Sequence, residues 1–222
     1  MASTKKKPAR RSSSAKANSK ASSRRAEKQQ SRDARMEEVI EAATEMFYER
    51  GYEGTSIENV ANAVGILKGS LYYYIDSKED LLFRVVDQVQ RDIHSMLDDA
   101  IAAEDTPPLD RLSEFARRQV EYNARNVKIV AVYHNDWRRL KGDRLADITR
   151  RRKYESRVVL ELLEEAKQRG DIAETLDTKL AASCVFATII WPHAWYRAGG
   201  VDPERLASFY ASFILRGVTG AG

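Results

Sequence analysis

A single cysteine among 222 residues excludes an intramolecular disulfide framework and a Cys-based zinc finger. Only three histidines occur, His94, His134 and His193, so far apart along the chain that no metal site is expected. Nowhere does an apolar run reach the roughly 18 residues that suggest a transmembrane helix. The pairs Arg10-Arg11 and Arg24-Arg25 are not followed by an apolar segment, so neither reads as the start of a signal peptide. These absences predict a soluble, cytoplasmic protein without a membrane partner. A phosphate-cradling glycine loop, a nucleophile elbow and a His-Glu-x-x-His motif are all missing, and Glu164 and Glu165 read as ordinary helix-surface residues. Neither an enzyme nor a bound cofactor is expected.

What is present is a core and an uneven charge. Hydrophobic residues make up 43% of the chain, enough to bury a core, and the length suits one domain or two small ones. Residues 1–35 hold twelve cations against Glu27 and Asp33, a net +10; the whole chain is +4, so the remainder carries −6. This basic stretch is Ser, Ala, Lys and Arg with almost no apolar bulk. It cannot offset its ordering entropy by burial, so residues 1–32 are expected to form a disordered arm. Such an arm is either a solvated extension or a contact to phosphates.

The body reads as all-α. Met36, Val39, Ile40, Ala43 and Phe47 form one helical stripe over Asp33–Arg50, with Gly51 as its stop. Thr55 and Glu58 predict a capping box opening a second short helix that buries Ile57, Val60, Ala61 and Val64. Gly65 breaks it, and a third short helix turns Leu67, Leu71, Tyr74 and Ile75 inward. Ser77 caps a long fourth helix carrying Leu81, Leu82, Val85, Val86, Val89, Ile93, Leu97 and Ile101 near one face. Further helices are expected near Leu109–Tyr122, Asn126–Leu140, Leu145–Arg169, Thr178–Tyr196 and Pro203–Leu215, with Pro192 kinking the fourth of these. The predicted organisation is an arm (1–32), a helix-turn-helix domain (33–83) and a helical ligand-binding and dimerisation domain (84–222).

Two short helices joined at a glycine match a helix-turn-helix, whose second helix enters the major groove. With the apolar set inward, the outward set is Lys68, Gly69, Ser70, Tyr72 and Tyr73. It offers charge, close approach, and hydroxyls for bases or phosphates. The competing reading is a plain helical hairpin with its tyrosines in the core. Three consecutive tyrosines cannot all face one way on a helix, which favours the binding reading.

The run Gly51-Tyr52-Glu53-Gly54-Thr55-Ser56-Ile57, then Ala61, Val64-Gly65-Ile66-Leu67-Lys68-Gly69-Ser70-Leu71-Tyr72-Tyr73-Tyr74-Ile75 and Ser77-Lys78-Glu79-Asp80-Leu81-Leu82 resembles the N-terminal domain of the TetR family over about residues 35–85. The resemblance implies a dimeric, ligand-responsive repressor of a double-stranded DNA operator. It further implies that Thr55, Tyr72 and Lys78 hold phosphates while Lys68, Gly69, Ser70 and Tyr73 face the groove.

The C-terminal half carries its own signals. Arg151 and Tyr154 fall on the apolar stripe of Ile148, Val158, Leu162 and Ala166. An arginine there faces an anionic ligand, lies on the surface, or pairs with Glu155 or Asp147. Arg138, Arg139, Lys141, Arg144, Arg150, Arg152, Lys153 and Arg157 crowd around it, either as a solvated face or for an anionic partner. The segments Tyr133–Leu140 and Trp195–Gly200 resemble a TetR subgroup that controls fatty-acid and steroid-ring breakdown and senses acyl-CoA thioesters. That resemblance implies an acyl-CoA effector held by Arg151, with His134, Trp137, Tyr154, Trp191 and Trp195 lining its apolar part; each alone also fits an ordinary core. Residues 178–196 and 203–215 are too apolar for surface helices, so they predict a homodimer interface or a fully buried monomer core. Cys184 reads as a small core residue. Three other readings stay open: an architectural DNA-binding protein without a ligand, a TetR-like repressor sensing a different apolar effector, and a helical enzyme or carrier of acyl-CoA.

Overall fold

The structure, a computed structural model, describes residues 12–197 and 199–220. Ten α-helices and one 3-10 turn make up its regular elements, with no strand among the described residues. The helices are α1 (Ser12–Gly54), α2 (Ile57–Ala63), α3 (Lys68–Leu71), α4 (Lys78–Ala102), α5 (Pro108–Arg125), α6 (Val127–Asp136), α7 (Gly142–Gln168), α8 (Thr178–Ile190), α9 (Pro192–Trp195) and α10 (Pro203–Thr219), with the 3-10 turn Trp137–Arg139 between α6 and α7. No helix among the described residues is long and apolar enough to cross a membrane.

The first three helices form a small head around Val39, Ala43, Phe47, Val60, Ala61, Leu71 and Ile75. Gly51, at φ 72°, lets the chain turn out of α1, a conformation other residues rarely adopt. The α2–α3 turn is a complete Schellman closure about Gly65 (φ 69°): Ile66 N–H reaches the Ala61 carbonyl at 3.0 Å and Gly65 N–H the Asn62 carbonyl at 3.2 Å. From the head the core continues without a break along α4 through Leu82, Val85, Val86 and Val89 into the body. Pro108 opens α5, where its missing N–H costs nothing. Pro192 separates α8 from α9, the expected kink.

Several expectations are corrected. The segment read as a disordered arm is helical from Ser12 onward, continuous with α1, and residues 1–11 lie outside the described residues. Its Ala, Lys, Arg, Glu and Gln are good helix formers extending an already nucleated helix. The α2 capping box sits one residue later than predicted: Ser56 Oγ accepts from Asn59 N–H at 3.1 Å and the Asn59 side chain accepts from Ser56 N–H at 3.0 Å. Leu67, expected inward, is 79% exposed because it holds the extended N-cap position of α3. Cys184 is exposed on α8 rather than buried. His134 and His193, distant in sequence, lie with ring centroids 4.8 Å apart, tilted to each other, where α6 meets α9.

Candidate nucleic-acid interface and effector groove

The outward set of the head is largely where the pattern placed it. Tyr73 is 80% exposed, Tyr72, Lys68 and Gly69 are exposed, and Ser70 is half-buried. A Cβ on Gly69 would meet nothing, so the backbone there stands open to a close approach. Lys68 lies 3.9 Å from Glu58, an exposed and weak pair that leaves the ammonium free to exchange partners. Lys78 is more committed, 4.2 Å above the Tyr52 ring and 3.9 Å from Glu53. Arg32, on the part of α1 that enters the head, donates to the Tyr73 carbonyl at 3.3 Å, so the base of the arm touches the turn that follows α3.

Thr55 does not fit its expected phosphate role. It is buried, and its hydroxyl donates toward the Met46 and Gly51 carbonyls, both at 3.0 Å. That hydroxyl closes the end of α1 over the Gly51 turn and points into the protein.

Ion pairs tie the head to the body. The buried Asp80 carboxylate at the start of α4 accepts from Arg84 at 3.1 Å and from Arg144 of α7 at 2.6 Å. Lys141 N–H donates to Glu79 at 3.0 Å, and Arg139 bridges Glu53 at 2.9 Å and Asp136 at 2.6 Å. Polar residues of both units therefore meet at the N-terminus of α7.

The body holds a groove of about 980 Å³ along α7, with His94 of α4 on its wall. Leu145, Ala146, Tyr154 and His94 supply its carbon surface, and Arg150, Arg151, Lys153 and Arg157 its cations. Arg151 and Tyr154, two of the predicted effector residues, stand in it. Arg151 is already paired there, with Asp87 of α4 at 2.7 Å and with Asp147 at 2.6 Å. The other four predicted residues are elsewhere. Trp137 is buried, with Arg138 and Arg152 over its ring at 4.5 and 4.8 Å. His134 packs between Tyr133 and His193, and burial, then His193 and Arg152, hold its pKa well below the ordinary histidine value. Trp191 is 64% exposed and faces a separate apolar hollow of about 470 Å³ with Phe209, Tyr210 and Phe213, while Trp195 is also exposed. The six residues thus form no single pocket. An amphipathic stripe reports which side of a helix is apolar, not which neighbour covers it.

Behind the groove lies a polar cluster the sequence reading missed. The fully buried Gln90 amide donates to Glu155 at 2.8 Å and to the Tyr133 hydroxyl, which also accepts from Arg152 at 2.6 Å. Glu155 is buried and stands 3.5 Å from His94 Nε2, and this contact raises the His94 pKa above its ordinary value. The Gln90 Oε1 atom is buried with no partner. A signal was available: Glu155 lies one heptad past Ile148 and one before Leu162, a charge on an apolar seam.

On the far side, α8 and α10 are apolar on more than the face they bury. Val185, Ile189, Leu206 and Ile214 are core, while Leu180, Trp191, Phe209 and Phe213 are 59–66% exposed. The expectation of a fully buried monomer core is not met by these helices.

Comparison with known proteins matches this architecture. A family model described as "Bacterial regulatory proteins, tetR family" matches residues 39–85, and one described as "Tetracyclin repressor-like, C-terminal domain" matches residues 105–218. The chain is 28% identical over 196 residues to the HTH-type transcriptional repressor KstR2 of Mycolicibacterium smegmatis, covering 84% of this chain and 91% of that protein. It is 25% identical over 152 residues to the fatty acid metabolism regulator protein of Bacillus subtilis, covering 68% and 78%. The solved structure of the ketosteroid transcriptional regulator KstR2 of Mycobacterium tuberculosis superimposes with a TM-score of 0.78 at 27% identity, over 83% of this chain and 95% of that one. A structure of AibR in complex with isovaleryl coenzyme A and operator DNA shares the fold, with a TM-score of 0.72 at 24% identity over 83% and 98%. From the head that carries Tyr73 to the paired apolar helices at the C-terminus, this chain belongs to the TetR family of DNA-binding transcriptional regulators, and not to an enzyme family.

Proposed function

We propose that this protein is a ligand-responsive repressor that binds a pseudo-palindromic operator as a dimer and leaves it on binding an acyl-CoA thioester. The observation that carries the effector class is the α4–α7 groove, where carbon surface from Leu145 and Tyr154 adjoins four cations. A thioester of coenzyme A needs both: an apolar slot for the acyl chain, and guanidinium or ammonium groups for the phosphates. Two relatives are named for steroid and fatty-acid regulation, and AibR was solved with an acyl-CoA. Arg151 and Tyr154 are the predicted residues retained in this role.

The DNA surface in this reading is Lys68, Gly69, Ser70 and Tyr73 toward bases, with Tyr72 and Lys78 toward phosphates. The exposed apolar face of α8 and α10 pairs with its copy to form a four-helix interface. That pairing sets two heads about 34–36 Å apart, one turn of duplex. The effector lowers operator affinity by favouring a quaternary state with the wrong head spacing.

The test is fluorescence anisotropy of the protein on operator DNA, titrated with acyl-CoA thioesters and with the matching free acids. Release by a thioester but not by its free acid is the expected result. Tight specific binding with no response to any thioester would discard the effector class. Equal affinity for random duplex would revive the architectural reading.

A further inference from the structure

The helix α7, which supplies most of the groove wall, is cross-linked to α4 by charge in a regular way. Asp80 and Asp87 stand seven residues apart on α4, and their partners Arg144 and Arg151 stand seven apart on α7. The equal offset means that α4 and α7 run parallel and in register, with one Asp–Arg rung at the base of the head and the next beside the groove. The upper rung is held differently from the lower. Arg151 lines the groove and divides its guanidinium between Asp87 on α4 and Asp147 on its own helix. Arg144 is not among the residues lining the groove.

We propose that an anionic effector acts by partner exchange at Arg151: its phosphate takes the guanidinium from Asp87 and so opens the α4–α7 rung nearest the groove. This rests on the acyl-CoA reading above. A phosphate carries more charge than a carboxylate and accepts the same bidentate fork, so it competes for a half-exposed arginine. Once Arg151 turns to the ligand, α4 loses its charge link to α7 at that level, and α4 is the helix on which the head is mounted. Asp87 keeps Arg91, at 3.1 Å on its own helix, so the carboxylate is not stranded and the exchange stays reversible.

The exchange predicts opposite signs for two neighbouring carboxylates. D87N and D147N each free Arg151 for an anion, but only D87N cuts a link between helices. In the full-length protein, octanoyl-CoA affinity is read by calorimetry. Operator affinity is read by anisotropy on a duplex that the wild type has selected from random-sequence DNA. D87N is expected to gain about fivefold for octanoyl-CoA and lose about fivefold for the duplex with no ligand present, because the state that takes the effector is the one that holds DNA poorly. D147N is expected to gain for octanoyl-CoA with its duplex affinity unchanged, and D87E to return both values toward wild type. Unchanged duplex affinity in D87N, or loss of duplex affinity in both variants alike, would overturn the rung. Octanoyl-CoA binding that neither variant improves would overturn the exchange alone, leaving the effector class standing. If octanoyl-CoA binds to none of the proteins, the effector reading and the exchange fall together.

Discussion

Arg144 of α7 donates to the buried Asp80 carboxylate at 2.6 Å, and this contact joins the base of the DNA-binding head to the body. Asp80 also accepts from Arg84 and, weakly, from Asp76 N–H at 3.3 Å, and it sits in the first turn of α4 behind the Ser77 cap. D80A removes all of these acceptors at once. It is expected to lower unfolding free energy by about 2 kcal/mol, whereas R144A, whose partner keeps Arg84, costs about 1 kcal/mol. Urea denaturation of the two variants checks the order; an R144A loss equal to that of D80A would show that Arg84 contributes nothing.

Thr55 is assigned by its bonds to the stability of the head. T55V keeps the shape and removes the hydroxyl donor to the Met46 and Gly51 carbonyls. A loss of about 1 kcal/mol in unfolding is expected, with DNA affinity per folded molecule unchanged. S56A should cost a similar amount through the lost α2 cap. A T55V protein of normal stability that binds DNA poorly would restore Thr55 to the phosphate contacts.

Tyr73 is 80% exposed on the turn that follows α3. Y73A is expected to weaken binding to the operator by about tenfold or more while changing affinity for random duplex little, since base contacts specify and phosphate contacts position. Competition anisotropy with both duplexes measures the two losses; equal losses would remove Tyr73 from sequence readout.

Phe213 tests the dimer. It is 59% exposed and stacks beside Phe209 with centroids 6.4 Å apart. F213E leaves the monomer core intact and places a charge on the apolar face. Sedimentation equilibrium should show a monomer with native helical content and lost operator binding. A dimer that survives F213E would move the interface elsewhere.

The pH dependence of stability follows from two histidines with opposite signs. Glu155 raises the His94 pKa, so His94 contributes stability that is fully present below about 6.5, its unfolded value, and is lost as pH rises through the higher folded value. Burial lowers the His134 pKa, so its contribution is present above about 6.5 and declines as pH falls below it. The informative quantity is therefore the difference between variant and wild type. H94Q should lose stability relative to wild type at pH 6 and converge on it at pH 8.5, by thermal unfolding at matched ionic strength. A constant difference across that range would show that His94 does not gain a proton on folding.

The sequence by itself determined the helices from residue 33 onward and the identity of the head. Spacing of three and four placed α4 and its Ser77 cap correctly, Pro192 marked a break, and Gly65 marked the turn. The outward set at Lys68–Tyr73 was legible because a short helix with one buried edge leaves little choice of face, although the N-cap position of Leu67 escaped that pattern. Local rules also blurred caps by one residue, because Thr55 and Ser56 are both competent and only the packing of Thr55 beneath α1 settles which one caps α2. The tertiary structure decided everything that depends on pairing between distant segments. Asp147 and Glu155 were both open as partners of Arg151; packing of α4 on α7 adds Asp87 to Asp147 there and gives Glu155 to Gln90 and His94 instead. His134 and His193 become neighbours only through the α6–α9 contact, and Trp191 leaves the predicted pocket because the far face of α8 looks outward with α10. Periodicity is a property of one helix, whereas a site is a property of the angle and register between two, and those are set by long-range packing that a single sequence leaves implicit.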